Sequence, residues 1–93
     1  MKLIYAENAV VDLKRLRAFI AETNPKAAEK IGEELVTRID ALKIFPKMGW
    51  TVATAPDPEV IRDIAFGKYV VRYAVHAQVI AILRVWHHLE DRS

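Results

Sequence analysis

Two runs of β-branched and aromatic residues near the end of the chain constrain the fold most. The first run covers residues 69–75, and the second begins at Val79 after His76, Ala77 and Gln78. Runs rich in valine, isoleucine and tyrosine on either side of a short polar break predict a β-hairpin. Both faces of each run are mostly apolar, so we expect two central strands that are covered at least in part on each side.

Strict alternation divides the second run into two faces, because successive side chains of a strand point in opposite directions. One face is predicted to carry Ile80, Ile82, Arg84, Trp86 and His88. The opposite face is predicted to carry Val79, Ala81, Leu83, Val85 and His87. Polar groups collect at the end of this run, in Arg84, His87, His88 and the tail 90–92, so we expect function there.

Length and composition restrict the class of protein. A chain of 93 residues predicts one domain, residues 1–93, with a modest core. The absence of cysteine excludes a disulfide framework and a thiolate metal site, and it fits a cytoplasmic protein. No apolar run approaches the ~20 residues of a membrane span, and no signal peptide is apparent. A net charge of +2 is far below that of a dedicated nucleic-acid binder.

The first half of the chain predicts a short strand at residues 2–6 and a helix at residues 8–22, with Asn8 as its N-cap. The apolar stripe of this helix is expected to contain Val10, Leu13, Leu16 and Ile20, with Phe19 beside it. Its charged residues, Asp12, Lys14, Arg15 and Arg17, are expected to lie largely outside this stripe.

A second helix is predicted to begin at Asn24 and Pro25, which suit the N-cap and the first helical position. Its buried stripe is expected to contain Ala28, Ile31, Leu35, Ile39 and Leu42. Gly32 interrupts the helix at a cost of roughly 1 kcal/mol against alanine, which we interpret as a close helix–helix crossing. The helix is expected to end near Ile44, because Pro46 disfavours a helical conformation of the preceding residue.

The remaining segments complete the fold class. Residues 45–59 are irregular, with a brief strand possible at residues 50–54. Residues 60–65 alternate like a strand, and residues 66–68 form the turn into the hairpin. One strand, two helices and then more strands predict an α+β fold, in which a two-helix hairpin packs on a mainly antiparallel sheet of three or four strands.

Short segments along nearly the whole chain carry a family resemblance. They are Ala9…Asp12-Leu13, Asn24-Pro25-Lys26-Ala27-Ala28, Leu42…Phe45-Pro46-Lys47-Met48-Gly49, Val60-Ile61-Arg62-Asp63-Ile64, Tyr69-Val70-Val71-Arg72-Tyr73 and Ile82-Leu83-Arg84-Val85-Trp86-His87. In this order and spacing the chain resembles the RelE/ParE superfamily, the toxins of bacterial type II toxin–antitoxin pairs. The Asn-Pro-x-Ala-Ala, Phe-Pro-x-x-Gly and Ile-Leu-Arg-Val-x-His segments look more like the ParE branch.

The resemblance implies a binding protein that needs no cofactor and has no catalytic residues. ParE-like toxins inhibit DNA gyrase, are associated with plasmid stabilisation, and are neutralised by a ParD-like antitoxin in a hetero-oligomer. The disordered end of such an antitoxin folds on binding. We expect it in a groove between the helical hairpin and the sheet, and on a free sheet edge. Operator DNA would be contacted only through the antitoxin, and no membrane is involved.

A second interpretation follows from the other branch, because RelE-like toxins cut messenger RNA in the ribosome. Such cleavage needs a base, an acid and cations near the phosphate, and the candidates are Arg62, Arg84, His87 and His88. Ala65 stands where such nucleases often have arginine, and no tyrosine follows Tyr73, which are departures from that branch. The two histidines could share a site only if the strand ends between them. A third interpretation is an inactive homologue that only binds an antitoxin.

The candidate partner-binding residues are Arg62, Arg84, Trp50, Trp86 and His88. Arg62 and Arg84 could form a cationic patch, or they could pair internally with Asp63, Glu90 or Asp91. Trp86 could be an exposed anchor or a core residue, whereas Trp50, in the irregular segment, is the better candidate for an exposed contact. His76, His87 and His88 do not have the spacing of a known metal site.

Overall fold

A computed structural model describes residues 1–57 and 59–90, so the predicted roles of Asp91 and Arg92 lie outside the described residues. The elements in chain order are β1 Lys2–Tyr5, α1 Glu7–Ala21, α2 Pro25–Asp40, a 3₁₀ turn Ala41–Lys43, β2 Trp50–Thr51, β3 Ile61–Phe66, β4 Tyr69–Val75 and β5 Val79–His87. The predicted α+β order of one strand, two helices and then further strands is confirmed. No helix among the described residues is long and apolar enough to cross a bilayer.

The strands form one mixed sheet in the order β1-β5-β4-β3-β2. β1 runs parallel to β5, and the other neighbouring pairs are antiparallel. β4 and β5 each have a strand on both sides, which confirms that the hairpin is central. The sheet has five strands where three or four were stated. Both edge strands, β1 and β2, lie where the sequence predicted a strand at residues 2–6 and a possible one at residues 50–54.

A bulge in β5 changes which side chains share a face. Arg84 pairs with Arg72, but Tyr73 pairs with Ile82, so Leu83 has no opposite residue. One extra residue on a strand reverses the alternation beyond it. Val85 therefore faces the core on the same side as Ile82, and the strict alternation predicted for β5 is wrong after Leu83.

The core lies between the helices and one face of the sheet. α1 packs against both α2 and β5. The buried cluster contains Ala9, Leu16, Leu35, Ile39, Leu42, Ile64, Phe66, Val71, Tyr73, Ile80, Ile82 and Val85. Each fully buried large apolar side chain contributes about 1.5–3 kcal/mol through its removal from water.

The two helices begin in different ways. Asn24 caps α2 as predicted, because its side chain accepts a hydrogen bond from the Ala27 amide at 3.1 Å. The predicted Asn8 cap is wrong, since α1 begins at Glu7 and its N-cap, Ala6, makes no side-chain cap bond. Ala6 donates its amide to the Ile82 carbonyl of the sheet. The chain therefore passes from β1 into α1 through the single residue Ala6, whose side chain cannot cap the helix.

The predicted stripe of α2 is largely confirmed, with Ile31 only partly buried. The close crossing at Gly32 is wrong, because a Cβ built there would meet nothing within 4 Å. The stripe predicted for α1 is also wrong in part. The fully buried residues of α1 are Ala9, Asp12 and Leu16, whereas Val10 is exposed.

Candidate partner-binding site

Asp12 connects α1 to β5 through a buried ion pair. Its carboxylate is 2% exposed and accepts hydrogen bonds from Arg84 Nε at 2.8 Å and Arg84 Nη2 at 3.1 Å. It also accepts the Val85 amide at 2.9 Å. Because β1 pairs with β5 only as far as Ile82, Asp12 replaces a neighbouring strand for the exposed edge of β5. The hydrogen bond with Asp12 raises the pKa of Arg84 above its usual value.

The same network extends to the C-terminal turn. Arg15 lies 3.1 Å from the Glu90 carboxylate, and its Nη2 lies 3.7 Å from Asp12 Oδ1. Glu90 in turn accepts the His87 amide at 3.0 Å. Arg15 is partly exposed, so the pair with Glu90 adds little stability. The pair between Arg15 and Glu90 instead fixes the position of the C-terminal turn, which carries Leu89, beside α1.

A second ion pair lies on the face of the sheet away from the helices. Arg72 donates two hydrogen bonds to Asp63, at 2.8 and 2.9 Å, and these bonds raise the pKa of Arg72. The Arg72 guanidinium also lies 5.2 Å from the centre of the Trp86 ring, within cation–π range. Trp86 is 8% exposed, so the alternative of an exposed anchor is wrong. The alternative in which Arg62 or Arg84 pairs with Asp63 is also wrong, because the Asp63 carboxylate accepts both hydrogen bonds from Arg72.

Arg62 supports the loop that precedes β2. Its Nη1 donates to the Gly49 carbonyl at 2.8 Å, and its Nε is buried without a hydrogen-bond partner among the described residues. Arg62 is aligned with Tyr73, whereas Arg84 is aligned with Arg72. Because Tyr73 and Arg72 point to opposite faces of β4, Arg62 and Arg84 do not form the joint cationic patch that was considered.

The two histidines come together at the end of β5. The strand ends at His87, which satisfies the condition set by the sequence, and the His87 and His88 rings stack with centroids 4.7 Å apart. Tyr69 meets the His87 ring edge-on at 5.4 Å, and burial raises the pKa of Tyr69. His87 Nδ1 accepts the Leu89 amide at 3.1 Å. The structure thus gathers the histidines with Tyr69, while Arg62 and Arg84 are bound to Gly49 and Asp12.

An open groove of about 870 Å³ lies between the helical hairpin and the β3–β4 turn, and we call it the hairpin–sheet groove. Apolar side chains from both layers line it, including Phe19, Ile31, Phe66, Tyr69 and Leu89. Its charged lining residues are Arg15, Glu34, Arg38, Lys68 and Glu90, of which Arg15 pairs with Glu90. A groove was predicted in this position, but sequence reasoning did not single out Phe66 or Leu89, which come together only through the turn after β5.

Two further features adjoin this groove. A second groove of about 700 Å³, the outer groove, runs between α1 and α2 and includes Gly32 and Val36. β2 pairs only with Arg62 and Asp63, so the outer edge of β3 from Ile64 onward has no strand partner within the described chain. Phe66 belongs both to this free edge and to the hairpin–sheet groove.

No group of three or more histidine, aspartate or glutamate side chains among residues 1–57 and 59–90 is arranged to hold a metal ion. The described part of the site is therefore made of apolar walls, internal ion pairs and a histidine pair.

Comparison with known proteins identifies the family. The family model described as the ParE toxin of the type II toxin–antitoxin system parDE matches residues 3–92. This chain belongs to the ParE toxin family. Within the larger superfamily, it is 35% identical over 83 residues to Toxin RelE1 of Caulobacter vibrioides, with 87% of this chain and 86% of the relative covered. It is 30% identical over 86 residues to Toxin RelE2 of the same organism, with 92% and 93% covered.

A solved structure supports the ParE-like fold. The chain matches a chain of the chromosomal ParDE TA system from P. aeruginosa with a TM-score of 0.79 and 19% sequence identity, over 94% of this chain and 95% of that chain. The resemblance to the RelE/ParE superfamily is confirmed, and the chain is a toxin of the type II toxin–antitoxin class.

Proposed function

We propose that this ParE-family toxin inhibits DNA gyrase by binding it, and that a ParD-like antitoxin neutralises it. The observation that supports binding over catalysis is the engagement of the candidate arginines. Arg84 is held by Asp12 and Arg62 by the Gly49 carbonyl. RNA cleavage needs cations, an acid and a base around one phosphate. An inhibitor that acts by contact needs no such cluster.

A RelE-like messenger RNA endoribonuclease is the second candidate. One observation favours it, namely the stacked His87 and His88 rings beside Tyr69. Two imidazoles could act as the base and the acid of a 2′-hydroxyl attack. The names of the two Caulobacter relatives, RelE1 and RelE2, also suggest this branch. An inactive homologue that only binds an antitoxin is the remaining outcome of the tests.

The hairpin–sheet groove is the proposed antitoxin site. Its apolar floor and mixed-charge rim suit an amphipathic segment that becomes ordered on binding. Where that segment passes Phe66, it could continue along the free edge of β3 as an added strand. The DNA-binding part of the antitoxin would then connect the complex to its operator, in a hetero-oligomer.

The target is tested by adding purified toxin to two assays. In the first, we expect supercoiling by DNA gyrase to fall as toxin is added. In the second, we expect ribosomes translating a defined messenger RNA to show no new cleavage. Cleavage that disappears in a His87→Ala/His88→Ala variant, with gyrase unaffected, would establish the nuclease instead. Normal growth on expression without antitoxin would indicate the inactive homologue.

The antitoxin site is tested with a matched pair of variants. Phe19 and Val11 both lie on α1 and are exposed, but only Phe19 lines the hairpin–sheet groove. We expect Phe19→Ala to weaken binding of the protein encoded by the neighbouring reading frame at least tenfold, whereas Val11→Ala binds like the wild type. Equal affinity for both variants, measured by calorimetry, would argue against the groove.

A further inference from the structure

The segment 44–50, between the 3₁₀ turn and β2, displays four large apolar side chains, and we call it the loop patch. Ile44 is 73% exposed, Phe45 61%, Met48 48% and Trp50 53%. Single exposed apolar side chains are ordinary, but large exposed apolar patches mark interaction sites, and these four side chains lie within seven consecutive residues. Sequence reasoning singled out only Trp50 in this segment.

Hydrogen bonds from the sheet fix the backbone of the loop patch at Gly49. The Gly49 amide donates to the buried Tyr73 hydroxyl at 2.9 Å, and the Gly49 carbonyl accepts from Arg62 at 2.8 Å. Gly49 packs so closely that an added Cβ would lie 2.6 Å from the Asp63 carbonyl oxygen. With Gly49 fixed inward, its neighbours Met48 and Trp50 are displayed to solvent. A surface ordered in advance loses less entropy on binding.

The loop patch is separate from both grooves. None of residues 44–50 lines the hairpin–sheet groove or the outer groove, and α2 contributes to the hairpin–sheet groove only as far as Arg38. A chain segment that lies in the grooves and pairs with β3 only near Phe66, short of Gly49, therefore leaves the loop patch accessible. The protein can present one surface to its antitoxin and another to a second partner.

The chemistry of the loop patch favours a protein partner. Residues 41–51 contain Lys43 and Lys47 and no acidic residue. Lys43 Nζ already lies 2.8 Å from the Asp40 carboxylate, so the segment offers little positive charge beside four apolar side chains. Nucleic-acid affinity depends on an array of cations against phosphates. An apolar centre with the single lysine Lys47 at its edge instead complements a protein surface that is apolar at its centre and carries carboxylate at its edge.

We infer that the loop patch is the surface through which this toxin contacts its target protein. The inference rests on the proposed function, in which the toxin acts by binding a protein. Aromatic and methionine side chains at the centre of an interface supply much of its affinity. Phe45, Met48 and Trp50 therefore form the main contact, and Lys47 faces carboxylates of the target.

The experiment compares a Phe45→Ala/Met48→Ala variant with the matched control Val11→Ala, which changes an apolar side chain of α1 that is 55% exposed. Each variant is expressed from a titratable promoter in cells without antitoxin, and growth arrest is scored. We expect the loop variant to need at least tenfold more toxin for arrest than the wild type or the control. Its melting temperature and its affinity for the protein encoded by the neighbouring reading frame should match those of the wild type.

Three results would overturn the inference. The folded loop variant could arrest growth at the wild-type dose, or its antitoxin affinity could fall as much as its toxicity. Alternatively, the wild type but not the loop variant could co-sediment with phosphatidylglycerol vesicles, which would assign the loop patch to a membrane.

Growth arrest is scored whatever the target is. Loss of arrest in the loop variant, with gyrase insensitive to the wild type and no messenger RNA cleaved, would refute gyrase inhibition and still support the loop patch. A wild-type protein that causes no arrest would refute both proposals.

Discussion

Replacement of Asp12 by alanine is the most severe single test of this structure. The Asp12 carboxylate is almost fully buried and accepts two hydrogen bonds from Arg84 and one from the Val85 amide. Alanine would leave the Val85 amide without its acceptor at the point where β1 has ended. It would also remove the counter-charge that lies beside Arg84.

The magnitude follows from these two losses. An unsatisfied buried N–H costs about 1–3 kcal/mol. Removing one partner of a buried ion pair costs about 3–5 kcal/mol when the remaining charge stays buried. The Arg84 side chain is 37% exposed, so it can turn toward water, which reduces the second loss to roughly 1–2 kcal/mol, between the values for exposed and buried pairs. We therefore expect Asp12→Ala to lower the free energy of unfolding by about 3 kcal/mol, a large part of the ~5–15 kcal/mol of a typical domain.

Equilibrium unfolding in urea at neutral pH measures this change. A loss of about 3 kcal/mol corresponds to a fall of roughly 12–24 °C in the melting temperature of a domain this size. Arg84→Met removes the opposite charge but keeps the apolar stem, and the double variant completes a cycle. The double variant should be less destabilised than the sum of the single variants, with a coupling energy of at least about 1 kcal/mol.

Two results would refute this reasoning. The first is a loss below about 1 kcal/mol for Asp12→Ala, which is smaller than the cost of one unsatisfied buried amide. The second is additivity within about 0.5 kcal/mol between Asp12→Ala and Arg84→Met, which is typical of residues that do not touch.

Three further predictions concern stability. Gly49→Ala should lower the free energy of unfolding by about 1–3 kcal/mol through overpacking against Asp63 and Tyr73; an unchanged urea midpoint would contradict it. Gly32→Ala should raise the free energy of unfolding by about 1 kcal/mol, because alanine favours the helix and its methyl group meets no neighbour. A lower urea midpoint would show that the space beside Gly32 is not free. Burial raises the pKa of Tyr73 above 10.0. The contribution of Tyr73 to the free energy of unfolding is therefore complete below pH 10.0 and is lost as the pH rises through the raised pKa. Tyrosinate absorbance should therefore appear at a higher pH in the folded protein than in urea, and coincident titrations would contradict this.

Local rules predicted the parts of the fold that depend on neighbours in sequence. The Asn24 cap and the stripe of α2 were predicted because each requires only residues a few positions apart. Asp12 was predicted to lie outside the buried stripe of α1, although Ala9, Asp12 and Leu16 have the spacing of one helical face. An acidic residue in such a stripe is buried only when a distant partner compensates its charge, and Arg84 lies 72 positions away. The available signal was the spacing itself.

The bulge at Leu83 had no local signal at all. Val79–His87 reads as one uninterrupted strand, and the extra residue becomes visible only in its pairing with β4. The predicted face of Arg84 therefore failed for a reason that lies in the partner strand. In contrast, the sequence allowed His87 and His88 to share a site only if the strand ended between them. β5 does end at His87, and the two rings stack.

The three arginines within the strands explain why the remaining partner surfaces are apolar. Arg84 binds Asp12, Arg72 binds Asp63, and Arg62 binds the Gly49 carbonyl. The guanidinium groups of these strands are therefore engaged in internal contacts. Phosphate binding needs such groups free, whereas protein interfaces depend on aromatic and aliphatic anchors at their centre.

If both proposals hold, mutations in the two surfaces should affect neutralisation and growth arrest independently. Phe19→Ala, in the hairpin–sheet groove, should give a toxin that still arrests growth but resists neutralisation, because it changes only the antitoxin site. The loop variant Phe45→Ala/Met48→Ala should show the reverse, with arrest only at a dose at least tenfold higher and with unchanged binding by antitoxin. Co-expression with and without the neighbouring reading frame distinguishes these phenotypes in one growth assay. A single surface serving both partners would make the two variants fail together.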